Sequence, residues 1–544
     1  MPTFDKRSLL LGSAATGLSL ALPGRAWPAV FKPHTYGLGK DGAPALNLIS
    51  PPAAQTADSI ALLWDKPAGL SVESYEVHLG PRLVATTPHT DHTLHGLEPG
   101  KLHDFQIRAR LASGSVLRSD VLQLATKPKP ITLDITRFGA IGDGKTLNTK
   151  AIQQAIDACP QGGVVRIPAG TFLSGALFLK SAMTLHLDKG ALLLGSPEAS
   201  HYPIITYRYE GIERPCHASL IGTPEAKGQR WHDIAITGEG TIDGNGIALR
   251  QSQNAAQQGG KGRVISIRDT DGVYLQGVTV RQSPFWCVHP VYCTGLTVNG
   301  VSIHTKYDAS GTPYPGMVNG DGLDPDSCRD VFIVNCHIAS QDDGIALKSG
   351  RDAPGRAVGI PTQNVRISHC RFTSGFGVAM GSEMAGGLRD VLVEDCQFEN
   401  TFSIASVKAP RPRGNVIENI TYRDCTLVNH STEHHDGRYF RGALYVDQFY
   451  GVAEPDLHTP QPIDEGTALI RNVLFQNITL ETVGGHAIYL AGLPERPLEG
   501  IRLENVTAKG VYGLFACNIR GLKLDKVSVE PRFGQAMQMI NVES

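Results

Sequence analysis

The stretch NGDGLDPDSCRDVFIVNCHIASQDDGIALKSG (319–350) places Asp321 and the pair Asp342–Asp343 about one repeat apart. The segment between them, VFIVNCHI (331–338), has the alternation of a short strand. If each repeat is one turn of a coil of stacked strands, these aspartates lie on adjacent rungs, about 4.8 Å apart. Three carboxyl groups then share one patch, which suits acid–base chemistry.

Short strand-like units recur along the chain at spacings that cluster in the twenties. Each is too small to bury its own apolar face, so the units must stack on one another. A propeller needs longer repeats, with four strands in each blade. We therefore predict an all-β fold in which residues 131–544 form a right-handed parallel β-helix, with a short capping helix at Asn148–Cys159. Examples of the unit are LTVNGVSI (296–303), VRISHCRF (365–372), VLVEDCQF (391–398), ITYRDCTL (420–427) and IRLENVTA (501–508).

Four of the ten cysteines occupy the same place in this unit, in the segments NCHI, HCRF, DCQF and DCTL. Equivalent places on stacked coils predict an internal ladder of small buried side chains rather than disulfides. Metal binding is disfavoured, because no CxxC or matching histidine pair accompanies them. The four are Cys336, Cys370, Cys396 and Cys425.

The N-terminus has the order of an export signal. Lys6–Arg7 precede an apolar run from Leu9 to Leu22, and small residues and proline follow. Residues 1–29 are therefore predicted to be a signal of twin-arginine-like or Sec type, which directs the protein to the periplasm or outside the cell. An uncleaved N-terminal helix is the alternative. A net charge of −2 provides no general attraction to nucleic acid, and no membrane contact is expected after signal removal.

Residues 45–127 form a unit of their own. Segments such as SYEVHLG (74–80) and HDFQIRARLASG (103–114) alternate like half-buried strands, and turns separate them. An early tryptophan and an L-x-P-G turn resemble a fibronectin type III sandwich, although His103 replaces the usual tyrosine. We interpret the unit as a spacer or packing module, with carbohydrate binding as the alternative. KPKP (127–130) is a stiff linker.

Several further motifs carry a specific resemblance. GEGTIDGNG (238–246), SPFWCVHP (283–290) and GSEMAGG (381–387), together with the two acidic motifs, resemble glycoside hydrolase family 28, the polygalacturonases. RYEGIE (208–213) is similar to the exo-polygalacturonase and plant-type branch. The resemblance implies inverting hydrolysis of α-1,4-linked galacturonan, without metal or cofactor. The implied partner is pectic polysaccharide or an oligogalacturonide.

The resemblance also implies roles for the three aspartates. Asp342 would be the general acid that protonates the leaving oxygen, and Asp321 and Asp343 would position and deprotonate the attacking water. The residues alone require one raised pKa, because three crowded carboxylates cannot all ionise cheaply. They do not say which of the three is the acid.

Two departures from the family pattern bear on substrate binding. Gly375-Phe376-Gly377 stands where the family has Gly-His-Gly, and Ser406-Val407-Lys408 stands where it has Arg-Ile-Lys. Phe376 offers either a sugar-stacking face or internal packing. Lys408 is retained as a substrate-binding cation, and His289 lies in a motif that the family places near the cleft.

Arginines nearby could replace the lost groups, since a guanidinium binds a carboxylate through two parallel hydrogen bonds. Arg351, Arg411 and Arg413 are the candidates, and solvated loop charges would have the same pattern. Insertions at 201–231 and 304–318 could close one end of a cleft, which favours exo action. The alternatives are a rhamnogalacturonan or decorated-pectin hydrolase, a calcium-dependent pectate lyase using Asp321, Asp324 and Asp326, or a non-catalytic pectin-binding relative.

Overall fold

The structure is a computed structural model, and it describes residues 36–226, 228–307, 310–431 and 437–543. The predicted export signal at 1–29 lies outside the described residues. Within them, no helix has the length and apolar character needed to cross a membrane.

Most of the chain winds into a coil whose strands pair in parallel with those one coil before and after. Three faces run along this coil, here called the site face, the second face and the third face. This confirms the predicted all-β fold, a parallel β-helix preceded by a small β-sandwich. The site face contains Leu177–Phe178, Ile221–Gly222, Ile265–Ser266, Ile345–Leu347, Val378–Met380, Ala405–Lys408, Gly442–Asp447, His486–Ala491, Tyr512–Arg520 and Met537–Glu543.

The other two faces merge towards the C-terminus, where single long strands cover both. The second face contains Thr132–Asp134, Gly163–Ile167, Met183–Leu187, Trp231–Gly238, Thr270–Gln276, Thr294–Asn299, Arg329–Val334, Thr362–Ser368 and Leu388–Glu394. The third face contains Asp143–Leu147, Gly170–Ser174, Ala191–Gly195, Thr241–Asp243, Thr279–Arg281, Ser302–His304, His337–Ala339, Arg371–Ser374 and Gln397–Glu399. The long strands are Val416–Val428, Leu469–Glu481, Leu498–Gly510 and Lys523–Pro531.

The turn from the second to the third face explains the recurring cysteine motif. The residue before each of the four ladder cysteines adopts a left-handed backbone, with φ between 51° and 56°. Asn and Asp tolerate this conformation better than most residues, and the chain then bends so that the cysteine points into the core. All ten cysteines are buried and free, and the thiols of Cys336, Cys370, Cys396 and Cys425 contact one another in series. The predicted ladder is confirmed.

The predicted capping helix forms at Thr149–Ala158, with Ile152, Ala155 and Ile156 buried. Two further helices among the described residues were not predicted, because they are insertions between coils rather than part of the repeat. They span Gly246–Ala256 and Asp352–Val358, and short 3-10 turns span Pro52–Ala54, Ile135–Phe138 and Ala199–His201. An antiparallel hairpin, Ile204–Tyr209 and Ile212–His217, is a third insertion.

The N-terminal unit consists of two small antiparallel sheets around the buried Trp64, whose ring centroid lies 5.5 Å from that of Tyr75. Its resemblance to a fibronectin type III domain, and the boundaries 45–127, stay predictions. The strands are Ile60–Leu63, Val72–Leu79, Arg82–Thr87, Asp91–Leu94, Leu102–Leu111, Val116–Arg118 and Leu122–Ala125.

Candidate active site

The strand register brings the three aspartates together on the site face. Leu323 and Ile345 pair on adjacent coils, and Asp321 and Asp343 each precede them by two residues. One carboxylate oxygen from each of Asp321, Asp342 and Asp343 lies within 4.8 Å of the others. The predicted convergence is therefore confirmed, although the role of each residue stays a prediction.

Burial and mutual repulsion determine where protons reside in this group. Burial, and then the charge of Asp343, raises the pKa of Asp342 to about 6. Burial raises the pKa of Asp321 well above its usual range, and the charges of Asp324 and Asp342 add to the rise. Asp342 is partly exposed, whereas Asp321 and Asp343 are buried. The group thus retains a proton in mildly acidic solution, and Asp342 is placed to deliver it.

Two buried lysines balance the negative charge. Nζ of Lys408 donates to Oδ2 of Asp343 at 2.7 Å. Nζ of Lys348 lies 3.6 Å from Oδ2 of Asp321 and 3.2 Å from Oε2 of Glu383. Strand pairing places the two lysines in one column, two coils apart. They therefore flank the aspartates, and the charge of each lysine lowers the pKa of Asp342 against the effect of burial.

Phe376 occupies the coil after the aspartates, two residues before Val378, in the same column as Asp343. It is almost fully buried, and its ring stacks on that of Phe440. Ser406, which stands where the family has an arginine, is also buried, and its hydroxyl lies 2.8 Å from that of Ser403. A sugar-stacking role for Phe376 stays a prediction. In this structure its ring packs against Phe440 inside the protein.

His289 lies behind the site rather than on its surface. Its side chain has no exposed area, and its Nε2 lies 3.5 Å from Oδ2 of Asp326. Burial lowers the pKa of His289 to about 4. Its ring meets that of Trp286 edge to face at 5.0 Å. A contact between His289 and substrate stays a prediction. The complete burial of this residue fits a role in packing against Trp286 better than a role in contacting substrate.

The three candidate arginines lie in different surroundings. Arg351 is on the rim, where its backbone N–H donates to Gly211 in the hairpin at 3.0 Å. Nη2 of Arg411 donates to Glu495 at 2.7 Å. Nη1 of Arg413 donates to Asp352 at 2.5 Å. Arg351 in turn lies 3.6 Å from Glu210 and 3.5 Å from Asp352. All three arginines therefore have acidic partners within the protein, and their predicted role in substrate binding stays a prediction.

Some residues beside the aspartates were not assigned from sequence. Glu383 lies in the GSEMAGG motif, so the sequence contained a signal for it. Burial raises its pKa, but the charges of Lys348 and Arg413 outweigh burial and lower the pKa to about 2. The sequence contained no such signal for Tyr450, because this residue comes from an irregular segment. Its ring centroid lies 5.2 Å from Nζ of Lys408, and the charges of Asp343 and Asp342 contribute, after burial, to its raised pKa.

The aspartates proposed for a calcium-dependent lyase do not form a shared cation site. Nη1 of the buried Arg208 lies 2.6 Å from Oδ1 of Asp326, and this ion pair occupies the Asp326 carboxylate. Burial raises the pKa of Asp324 to about 8. Among the described residues, the aspartates whose carboxylate oxygens lie within 4.8 Å of one another are Asp321, Asp342 and Asp343, and neither Asp324 nor Asp326 belongs to this group. The geometry therefore does not support Asp321, Asp324 and Asp326 as a shared Ca²⁺ site.

Comparison with known sequences identifies the family. The sequence profile of glycosyl hydrolases family 28 matches residues 223–524, more than half of the chain. The chain belongs to glycosyl hydrolases family 28. A second profile, rhamnogalacturonase A/epimerase, pectate lyase-like, matches residues 132–207. The protein is thus a glycoside hydrolase, as the acidic motifs indicated.

Individual members of family 28 support this assignment. A "probable polygalacturonase" of Vitis vinifera is 32% identical over 68% of this chain and 72% of its own length. An "exo-poly-alpha-D-galacturonosidase" of Dickeya chrysanthemi is 27% identical over 78% of this chain and 79% of its own. The solved structure of a Yersinia enterocolitica family 28 exopolygalacturonase matches with a TM-score of 0.77 and 25% identity, covering 92% of this chain and 98% of that one.

Proposed function

We propose that this protein is an exported, exo-acting glycosidase that hydrolyses α-linked galacturonic acid in pectin or its oligomers, with inversion and without a cofactor. The observation that carries the proposal is the group Asp321, Asp342 and Asp343, whose carboxylate oxygens lie within 4.8 Å of one another between two buried lysines. The polygalacturonases among its relatives support galacturonan as the substrate.

In the proposed reaction, Asp342 gives its proton to the glycosidic oxygen as the bond from that oxygen to the anomeric carbon breaks. A water held between Asp321 and Asp343 attacks the same carbon from the opposite side. Asp343 takes the water's proton, because burial raises the pKa of Asp321 well above its usual range and Asp321 keeps its own proton. Lys408 keeps Asp343 oriented through its 2.7 Å hydrogen bond. A pKa of about 6 suits Asp342 to act as an acid in mildly acidic solution.

Inversion requires its own test, because the carboxyl spacing by itself favours the other outcome. Retaining enzymes place two carboxyl groups about 5 Å apart, whereas inverting ones usually leave more room for a water. Here two carboxylates flank the acid, so a water can be held between them instead. NMR of the first product anomer decides the point: the β-anomer supports inversion, and the α-anomer overturns it.

Exo action is supported by insertions anchored beside the site. The hairpin at 204–217 is fastened through the buried ion pair of Arg208 with Asp326. The segment before Asp321 is fastened through Arg250, whose Nη1 donates to the carbonyl of Val318 at 2.7 Å. Two named relatives are exo-acting. Slow loss of polygalacturonate viscosity with early release of small sugars is expected; a rapid loss of viscosity would contradict exo action.

The acid role is tested with Asp342→Asn. We expect turnover of oligogalacturonides to fall by about 10²–10⁴-fold, because the leaving oxygen loses its proton donor. Binding should persist, since the amide has almost the same shape. Asp525→Asn, at an exposed aspartate on a remote strand, is the control and should keep full activity. Near-normal turnover of Asp342→Asn would remove Asp342 from the mechanism.

The substrate and the location need separate measurements. Phe376 and Ser406 replace residues that the family uses, so a panel of galacturonan, rhamnogalacturonan and xylose-decorated pectin should be compared. We expect the highest kcat/KM on unbranched galacturonan. Export is proposed from residues 1–29, and N-terminal sequencing of protein from the periplasm or medium should find that this segment has been removed.

A further inference from the structure

Glu383 is a buried acidic residue beside the aspartates, and the proposed reaction does not use it. Its Oε2 lies 3.2 Å from Nζ of Lys348, and its Oε1 lies 3.6 Å from Nη2 of Arg413. Burial raises the pKa of Glu383, but the charges of Lys348 and Arg413 outweigh burial and lower it to about 2. Glu383 is therefore ionised at any moderate pH, and it acts as a fixed negative charge rather than as a proton donor.

The backbone places Glu383 opposite Lys348, and an insertion covers it. Ser349, which follows Lys348, donates its N–H to the carbonyl of Glu383 at 2.6 Å. Gly211 lies at the tip of the inserted hairpin, where a Cβ would come within 3.0 Å of Cγ of Glu383. The tip therefore lies against this side chain, and only 8% of the residue is exposed. With little water nearby, the charge of Glu383 acts strongly on its neighbours.

Lys348 divides its charge between Glu383 and the aspartate group. Its Nζ lies 3.2 Å from Oε2 of Glu383, 3.6 Å from Oδ2 of Asp321 and 4.6 Å from the ring centroid of Trp286. If Glu383 were neutral, Asp321 would be the remaining ion-pair partner of this ammonium among the described residues. The full charge of Lys348 would then favour ionised aspartates over protonated ones.

Two other cations beside this ion pair have carboxylates of their own. Nζ of Lys408 donates to Asp343 at 2.7 Å, and Nη1 of Arg413 donates to Asp352 at 2.5 Å. The charges at the hairpin form ion pairs with one another, and they are Glu210, Arg214 and Arg351. The titratable groups nearby whose pKa is raised are Asp324 and Tyr450. The cation that is shared with the aspartates is therefore Lys348.

We propose that Glu383 is a positioning residue for the hydrolysis, which holds part of the charge of Lys348 away from the aspartates so that they keep the proton that the leaving oxygen needs. This rests on the proposed function and deepens it. Asp342 must remain protonated until the glycosidic bond breaks, and the charge of Lys348 opposes this by lowering its pKa. Glu383 weakens that effect, and it acts through Lys348 rather than through contact with the leaving oxygen.

The pH profile of kcat on oligogalacturonides tests this role in the full-length protein. Glu383→Gln keeps the shape but loses the charge, so the alkaline limb should move to lower pH by about 0.5–1 unit. Glu383→Asp keeps the charge and should return the limb towards the parent position. Lys348→Met removes the cation instead and should move the limb to higher pH. Glu418→Gln, at a partly buried glutamate paired with Arg471 on a remote strand, is the matched control and should leave the profile unchanged.

Stability measurements test the same link without activity. Ionised Asp342 is disfavoured by folding near pH 7, because its pKa is raised to about 6, so Asp342→Asn should stabilise the protein there. In the Glu383→Gln background this stabilisation should be smaller by about a quarter to a half, because Asp342 then ionises at lower pH. Thermal unfolding of each variant confirms that the fold is intact.

The outcomes separate this role from the proposed function. A limb that stays in place or moves up in Glu383→Gln overturns the positioning role, even where the parent enzyme hydrolyses galacturonan and kcat falls. A limb that stays in place or moves down in Lys348→Met overturns it as well, so the test does not depend on one variant. A smaller stabilisation without any hydrolysis by the parent keeps the charge link and removes the hydrolase, and an unchanged stabilisation removes the link.

Discussion

Asp342 holds its proton more tightly in the folded protein than in the unfolded chain. Its pKa rises from 3.8 to about 6, chiefly because burial penalises the charged form. Between these two values the folded state binds more protons than the unfolded state, so the group's contribution to stability falls as pH rises through that window. The acid needed for catalysis is thus obtained at the expense of folding stability near neutral pH.

Removing this charge should stabilise the protein in a pH-dependent way. We expect Asp342→Asn to raise the free energy of unfolding near pH 7 by on the order of 2 kcal/mol, and to change it little at about pH 3, where Asp342 is mostly protonated in both states. Denaturant unfolding at the two pH values measures this. An equal increase in the free energy of unfolding at both pH values, or a decrease near pH 7, would show that burial of the ionised carboxylate does not destabilise the fold.

Lys408 should influence both the activity and its pH profile. Its Nζ donates to Asp343 at 2.7 Å, and its charge lowers the pKa of Asp342. Lys408→Met should reduce kcat by about 10²-fold, because a buried charged partner is lost. It should also move the alkaline limb of the kcat profile to higher pH, since Asp342 then keeps its proton longer. Lys408→Arg retains the charge, so its alkaline limb should stay in place. A profile unchanged in Lys408→Met would contradict this electrostatic link.

At the scale of the repeating element, the cysteine ladder acts as packing. The Cys370 thiol and burial raise the pKa of Cys336 well above its ordinary value, so the thiol is unreactive. We expect the midpoint of thermal unfolding to be the same with and without a reducing agent. Cys370→Ala should cost about 1–2 kcal/mol by leaving a small cavity. A drop in the midpoint on reduction would reveal a disulfide and refute the ladder.

The repeat also explains which parts of the site could be predicted. Strand alternation and repeat length predicted the register of Asp321 against Asp343, because a buried face tolerates no slip. Tyr450 follows no such pattern, since it comes from the irregular segment after Gly442–Asp447. Arg413 stands close to Lys408 in sequence and was expected in the cleft. It lies beside the site, 3.6 Å from Glu383, but its guanidinium is bound by Asp352, at the start of an unpredicted inserted helix.

At the scale of the whole molecule, the sandwich is docked on the second face through a buried arginine and a partly buried lysine. Nη2 of Arg366, which is fully buried, donates to the carbonyl of Trp64 at 3.0 Å and to the hydroxyl of Thr90 at 2.7 Å. Nζ of Lys66 contacts Asp395 at 2.6 Å and Asp424 at 2.8 Å. These contacts favour the interpretation of the unit as a packing module over that of a mobile spacer.

Docking of this kind should make the sandwich and the β-helix unfold together. We expect a single transition in calorimetry of the parent protein. Arg366→Met should destabilise it by about 3–5 kcal/mol, because Arg366 lies 3.1 Å from the buried Glu394 and the interface carbonyl loses its donor. Arg389→Met, at an exposed arginine of the neighbouring strand, should change stability by no more than about 0.5 kcal/mol. Two separate transitions in the parent would show that the sandwich folds independently, and the buried arginine would then have no role in coupling the two parts.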